Sequence, residues 1–478
     1  MSRILVGPFN RVEGDLEVAL EIGEGRVNSA YVNSPLYRGF EQILQGKDPL
    51  DALTIAPRIC GICSVSQSTA ASYALADLMG LETPVNGQWA CNLILANENL
   101  ADHITHFYLF FMPDFACDSY RDRPWFPEVA ARFKAMVGSA ASEILSARAA
   151  FLRLMGYLAG KWPHTLSIQP GGSVRAIDST EKNRIHALLK QFRQFLETRL
   201  FGDALESIVA LDSMKALDNW HNGARSCDFK LFLNAAEDLG LEKYGRASDR
   251  FMSYGNYPLP DGRLFSPGFW HEGSHALDVG AITEDVSHSW MDGAAQHPAE
   301  GMTLPKAEKS GAYSWCKSPR LNGEVVETGA LARQIVDGHP LFRDLAIASG
   351  GNVRNRVIAR LIETARVLIA MEAWVRSIRP GEPFCSQGKV PQEAMGAGLV
   401  EAARGSLGHW LHVHKGRILN YQIISPTTWN FSPRDSNGIP GALEQALVGT
   451  PVSEGEENPV LVQHIVRSFD PCMVCTVH

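Results

Sequence analysis

Two short cysteine pairs constrain this chain more than anything else in it. Cys60 and Cys63 stand three apart in "RICGIC", Cys472 and Cys475 stand three apart in "DPCMVCTVH", and 412 residues separate the pairs. Together they can supply four thiolates to one soft metal, such as zinc, nickel, copper(I) or an iron–sulfur centre. Chain ends normally fray, so a ligand pair just before the last residue, His478, works only if that end is clamped inside the fold. The plainest reading is a structural zinc site with four cysteines. Two features weigh against it: zinc ribbons bring their pairs together over roughly 15 to 20 residues, and a chain of 478 residues has ample core without a staple.

Composition narrows the class. At 45% hydrophobic and 20% charged the chain is that of a globular protein, and no apolar run approaches the roughly 20 residues of a membrane span. A net charge of −8 without a basic block argues against a nucleic-acid surface. The N-terminal residues, "MSRILVGPFNRVEG", turn polar too early for a signal peptide, and nine cysteines without a disulfide-scaffold pattern favour reduced thiols. The expected compartment is the cytoplasm, unless a partner carries an export signal for both.

The first thirty-odd residues alternate apolar and polar around glycine turns, which predicts hairpin strands. Apolar residues then recur at three and four over about 86–112, 126–160, 178–200 and 354–378, which predicts long helices. Between about 245 and 330 glycine, proline, serine and aromatic residues cluster, so loops and short strands are expected, and 409–424 reads as a second strand-rich stretch. With no repeat and no linker, the expectation is an α+β, mainly α fold in one domain over 1–478, with a long central helical bundle and small flanking sheets.

The residues around the cysteines resemble the large subunit of nickel–iron hydrogenases. "PRICGIC" looks like that family's N-terminal cysteine motif and "DPCMVCTVH" like its C-terminal one. Further matches follow in order: "RVEGD" at 11–15, "RGFE" at 38–41, "GKDPLDA" before the first cysteines, "HFYLFFMPD" at 106–114, "KSPR" at 317–320, "EAARGSLGHW" at 401–410 and "SPTTWN" at 425–430. Each match alone is weak; the ordered set with both cysteine pairs is specific. Related quinone-reductase subunits share the fold but lack the four cysteines.

The resemblance implies a Ni–Fe centre on the four cysteines, with Cys60 and Cys472 terminal on nickel, Cys63 and Cys475 bridging to iron, and one carbon monoxide and two cyanides on the iron. It implies that H2 splits heterolytically, that Cys472 accepts the proton, and that Glu13 relays it outward, a suitable task for a carboxylate beside a thiol. Without the resemblance Glu13 reads as a solvated strand charge. Arg404 matches an arginine over the metal face that donates to one cyanide, its five donors permanently charged. Asp114 and Asp470 match the carboxylates that hold that arginine, although each also reads as a turn former beside proline. Thr427 would donate to the other cyanide. Ala403 stands where many relatives have proline.

Glu41 and His478 look like ligands of the family's hard-metal site, usually Mg2+, which wants oxygen ligands and keeps several waters. In the family that histidine becomes terminal after a tail is removed. Most catalytic members carry a histidine where this chain has Gln67, and an amide, unlike an imidazole, cannot change charge near neutral pH. Glutamine there is typical of the hydrogen-sensing, regulatory subgroup, and Asp15 also departs from the standard pattern. Ile62 and Phe110 occupy positions where standard members tend to have valine and leucine at the end of a gas channel; bulk there would exclude O2 and give oxygen tolerance, whereas taken alone each reads as core packing.

His103 and His106 on a helix, and His412 and His414 in "HVH", are expected to be structural. Cys91, Cys117, Cys227, Cys316 and Cys385 have no pairing logic and no set among them to hold an electron relay. The leading expectation is therefore an H2-sensing subunit of low turnover, paired with a small subunit carrying Fe–S clusters, assembled as a dimer of heterodimers and read by a histidine kinase. An uptake hydrogenase feeding electrons to metabolism is the alternative. A non-catalytic zinc-stapled scaffold is the third reading.

Overall fold

The computed structural model of the chain describes residues 2–223 and 225–478. At its centre the helices Val85–Thr105 and Val353–Ser377 pack on each other, and both are buried along nearly their whole length. Their polar residues are buried with partners, Asp102 on Arg404, Arg356 on Glu327 and Glu363 on Arg333, which lets two such helices run through the middle. Helix Ser139–Leu158 covers the first of them, and Ser179–Phe195, opened by a capping box of Asp178 and Glu181, lies against Ser139–Leu158 and Val353–Ser377. The helix expected over 126–160 is two, Phe126–Phe133 and Ser139–Leu158. Chain reversal at Gly138 separates them, where a Cβ would come 2.5 Å from the Arg132 carbonyl oxygen.

Small antiparallel sheets flank the bundle, so the α+β class with a central bundle is what the structure has. The N-terminal sheet runs Ser2–Val6, Glu17–Gly23, Arg26–Asn33 in order, as its alternation predicts. Phe251–Ser253 pairs Gly268–Trp270, and Ile282–Asp285 pairs Ser318–Leu321, in the expected irregular stretch. Among the described residues no helix is long and apolar enough to cross a membrane.

Two elements that carry the site have no clear period in the sequence. Helix Ser64–Met79 is rich in serine and alanine and buried on almost every side, so it shows no apolar stripe. It lies on the three-stranded sheet Glu393–Ala402, Gly405–His414, Arg417–Ile424. Contact is backbone to backbone: a Cβ on Gly396 would sit 2.3 Å from the Ala74 carbonyl oxygen, and one on Gly398 only 1.9 Å from that of Ala70. Those glycines weaken the strand signal and make the close approach possible.

Candidate metal centre

The first cysteine pair sits where a loop becomes a helix. The turn Ala56–Ile59 delivers Cys60, and Cys63 directly precedes helix Ser64–Met79, at the end of its dipole that favours negative charge. Glu98 caps that helix, accepting the N–H groups of Val65 (2.9 Å) and Ser66 (3.0 Å). Cys472 and Cys475 flank the start of the short helix Met473–Thr476. Arg38 stitches the two segments together, donating to the carbonyl of Ile59 at 2.5 Å and to that of Val474.

Cys60 Sγ lies 3.5 Å from Cys472 Sγ, Cys63 Sγ 3.1 Å from Cys475 Sγ, and Cys472 Sγ 3.2 Å from Cys475 Sγ. All four sulfurs fall within 4.8 Å of one another and are buried; among the described residues this is the one such cluster of metal-ligating side chains. Four thiols so close cannot all ionise unaided. Hydrogen bonds from Cys472, Cys475 and Cys63 hold Cys60 well below the ordinary thiol range, the same contacts push Cys63 up, and burial pushes Cys472 and Cys475 up. A cation among them removes that conflict, so the donor set fits a thiolate-bound metal.

Arg404 stands beside the sulfurs at the turn between two strands. Its Nη1 pairs with Asp102 at 3.0 Å and its Nη2 with Asp470 at 3.1 Å, with all three side chains buried. Burial pushes Asp102 up to about 7 against the pull of Arg404, whereas for Asp470 the nearby cations outweigh burial and keep it below the usual range. The Nε of Arg404 and Oδ2 of Asp470 are buried without a partner, so the pocket has hydrogen-bonding capacity left for a polar group on the metal. Thr427 Oγ1 accepts the Cys472 N–H at 3.1 Å, which leaves its own proton to donate.

Gln67 lies one helical turn past Cys63, with Nε2 3.9 Å from Cys475 Sγ and Oε1 2.8 Å from His409 Nε2; His409 Nδ1 meets Tyr421 Oη at 2.7 Å. Burial pushes His409 down to about 3, so it is neutral. A neutral imidazole has one proton: Tyr421 donates to Nδ1, Nε2 donates to Gln67, and the amide donates to Cys475.

The model of the nickel-dependent hydrogenase family matches residues 38–118 and 136–478. The chain belongs to this family. Over its full length it is 30% identical to the periplasmic NiFeSe hydrogenase large subunit of Desulfomicrobium baculatum, 95% of which is covered, and 27% identical to the uptake hydrogenase large subunit of Rhodobacter capsulatus, also covered to 95%. The structure of the H2-activated D. baculatum NiFeSe hydrogenase superposes with a TM-score of 0.85 at 29% identity, covering both chains completely. The chain is thus a hydrogenase, and membership of a nickel-dependent family decides against the zinc scaffold.

Within this hydrogenase Glu13 is half-buried, its backbone carbonyl accepting the Met473 N–H at 2.7 Å. Burial and then Cys60 push its carboxyl up, against Arg404 and Arg38. Glu41 and His478 do meet: His478 Nε2 lies 3.1 Å from Glu41 Oε1, and His478 Nδ1 lies 2.9 Å from the Cys475 carbonyl oxygen. Thr303 donates to the other Glu41 oxygen, and Lys317 lies 3.6 Å from it and 3.2 Å from Glu284. Glu41, Glu284 and His478 line one small cavity in which Lys317 faces both carboxylates, and the contact of His478 with Glu41 ties down the C-terminal residue.

One expected partner is corrected. Asp114 does not hold Arg404; it pairs with Arg11 and, at 2.6 Å, with Arg467, while Asp102 takes the place beside Arg404. Asp114 lies inside the 3-10 turn Met112–Ala116 that follows the π-turn His106–Phe111, away from the helix face where Asp102 sits. Asp102, Glu98, His409, Arg38 and Lys317 are site residues that sequence reasoning missed. The signal for two of them is a pair of acids four apart, Glu98 and Asp102, inside an otherwise buried helix. Ile62 is half-buried against the core between the first two cysteines, and Phe110 is half-buried on the π-turn. His103 and His106 are structural as expected, bound to Glu363 at 3.0 Å and to the Arg467 carbonyl at 2.6 Å.

Proposed function

We propose that this hydrogenase is the large subunit of an H2 sensor. Cys60, Cys63, Cys472 and Cys475 would hold a Ni–Fe pair, with Arg404 and Thr427 donating to two cyanides beside a carbon monoxide on the iron. Bound there, that centre supplies heterolytic cleavage of H2. Cys472 takes up a proton at Sγ, Glu13 receives it, and the raised affinity of its half-buried carboxyl for a proton suits that step. Glu41 and His478 would bind Mg2+ and hold the C-terminus. The five remaining cysteines form no cluster among the described residues, so electrons leave through a second chain, a small subunit with Fe–S clusters.

The observation that carries the sensing role is Gln67. A neutral amide donates to Cys475, and behind it stands an imidazole that burial keeps neutral, so this side of the centre holds one charge state across the working pH. Such a site suits a detector whose state is read by a histidine kinase in the cytoplasm, in a dimer of heterodimers, better than an enzyme built for flux. Ile62 and Phe110 would narrow gas access and give oxygen tolerance; an unchanged response to O2 in the Ile62→Val, Phe110→Leu double variant would sink that part. The 27% identity to an uptake hydrogenase large subunit supports the second reading, electron supply to metabolism.

The deciding experiment is infrared spectroscopy of the chain with its small subunit under inert gas, then H2, then O2. Carbonyl and cyanide bands that shift under H2 and return without an oxygen-inactivated state are expected. Accumulation of inactivated states would favour the uptake enzyme, and absence of the bands would remove the Ni–Fe centre.

A further inference from the structure

We propose that Asp114 and Arg467 are positioning residues that set where the Glu13 carboxylate lies relative to Cys472. The inference rests on the reading of Glu13 as the group that receives the proton from Cys472.

The segment carrying Glu13, between strands Ser2–Val6 and Glu17–Gly23, has almost no regular structure of its own. Arg11 (φ 54°) and Gly14 (φ 82°) both adopt left-handed backbone, which for arginine persists only where the surroundings impose it. One anchor is the hydrogen bond from Met473 N–H to the Glu13 carbonyl. It fixes the backbone of residue 13 to the C-terminal segment but leaves the direction of the chain on either side open.

The other anchor is ionic. Arg467, at 1% exposure, directs Nη2 to both the carbonyl oxygen (2.9 Å) and Oδ1 (2.7 Å) of Asn10, and Nη1 to Asp114 Oδ2 at 2.6 Å. The second oxygen of Asp114 takes Arg11, the next residue along the segment. One buried carboxylate therefore joins an arginine two residues before Glu13 to an arginine at the end of helix Val460–Ser468, which leads directly into Asp470 and Cys472. Proton donor and proton acceptor are both referenced to Asp114.

A buried ion cluster is a poor way to gain stability, because apolar packing of the same volume often does as well. What a guanidinium fork adds is direction, since its donors lie in one rigid plane. Proton transfer needs heavy atoms at roughly 2.6–3.2 Å, so direction is what a relay residue on an irregular segment requires.

The test uses the assembled protein with its small subunit and follows exchange of D2 with H2O. The initial ratio of H2 to HD reports how often the cleaved deuteron is replaced from solvent before the product leaves, and it does not depend on how many centres are active. In Asp114→Asn, at normal nickel content and unchanged infrared bands, the ratio is expected to fall about tenfold, since small misplacements of reacting groups cost factors of this size. Arg11→Gln, which alters the partly exposed member of the cluster, is expected to move it the same way by less, and it decides the matter if Asp114→Asn does not assemble. An unchanged ratio in a loaded variant overturns the proposal. Glu13→Gln is run beside them: if it leaves the ratio untouched, the relay reading of Glu13 is what has failed.

Discussion

At the scale of single residues the site is a set of donors aimed at sulfur. Tyr421, His409 and Gln67 form one directed chain that ends on Cys475, and its direction follows from one proton on a neutral imidazole. Gln67→Leu removes the donor to Cys475 and leaves the His409 Nε2–H buried without its partner. Leaving a buried donor without a partner costs about 1–3 kcal/mol, so the variant is expected to lose that much stability in chemical denaturation and to shift the infrared bands; unchanged values in both would show that the amide is idle. The sequence exposes the four cysteines because CxxC is a local pattern, and it exposes Gln67, Glu41 and His478 because they sit in matched motifs. It does not expose Asp102 as the partner of Arg404. Motif order ranks residues along the chain, whereas an ion pair is decided by which carboxylate faces the guanidinium, and only the end of the long helix and the π-turn after it settle that in favour of Asp102 over Asp114.

At the scale of elements the centre depends on how closely one helix approaches one sheet. Helix Ser64–Met79 carries Cys63 at its start and Gln67 in its first turn, and it reaches the sheet only because Gly396 and Gly398 have no side chains. Gly398→Ala places a carbon where the Ala70 carbonyl already is, so the helix must move and take Cys63 and Gln67 with it. Overpacking of this kind costs typically 1–3 kcal/mol and occasionally more, and the variant is expected to bind substoichiometric nickel. Gly156→Ala, inside helix Ser139–Leu158 with nothing within 4 Å of the added carbon, is the matched control and is expected to gain about 0.5–1 kcal/mol with full nickel. Melting temperature and nickel content of the two variants check both. The long helices of the bundle were legible because their apolar positions recur at three and four. Ser64–Met79 and the glycine-bearing strand were not, because elements that meet backbone to backbone use small residues and so erase the period that would announce them.

At the scale of the whole molecule the interior is crowded with ionisable groups, and they make opposite demands as pH changes. Burial pushes His106 and His409 down to about 3 and His464 to about 4, from an ordinary 6.5. Burial also pushes Glu98 up to about 8, with Asp102 adding to it, and raises Asp102 and Glu444 to about 7. Between about pH 4.5 and 6.5 the unfolded chain holds the three imidazole protons and the folded chain holds the three carboxyl protons, so the two sets cancel. Below about 4.5 the unfolded carboxylates also take protons while the folded imidazoles begin to take theirs, so the unfolded state binds about one more than the folded one and stability falls by about 1–2 kcal/mol per pH unit. Above 6.5 the unfolded imidazoles release theirs while the folded carboxyls still hold some, so stability declines again, by about 1–2 kcal/mol per unit near pH 7. Unfolding of the assembled protein followed from pH 3.5 to 8.5 is therefore expected to show a flat maximum on the acid side of neutrality with limbs of similar, shallow slope on either side. A maximum above pH 7.5 would mean that Glu98, Asp102 and Glu444 are ionised in the fold. Glu98 and Asp102 would then be two negative charges held one turn apart behind four cysteines, and the metal would carry more of the work of keeping the chain's two ends together.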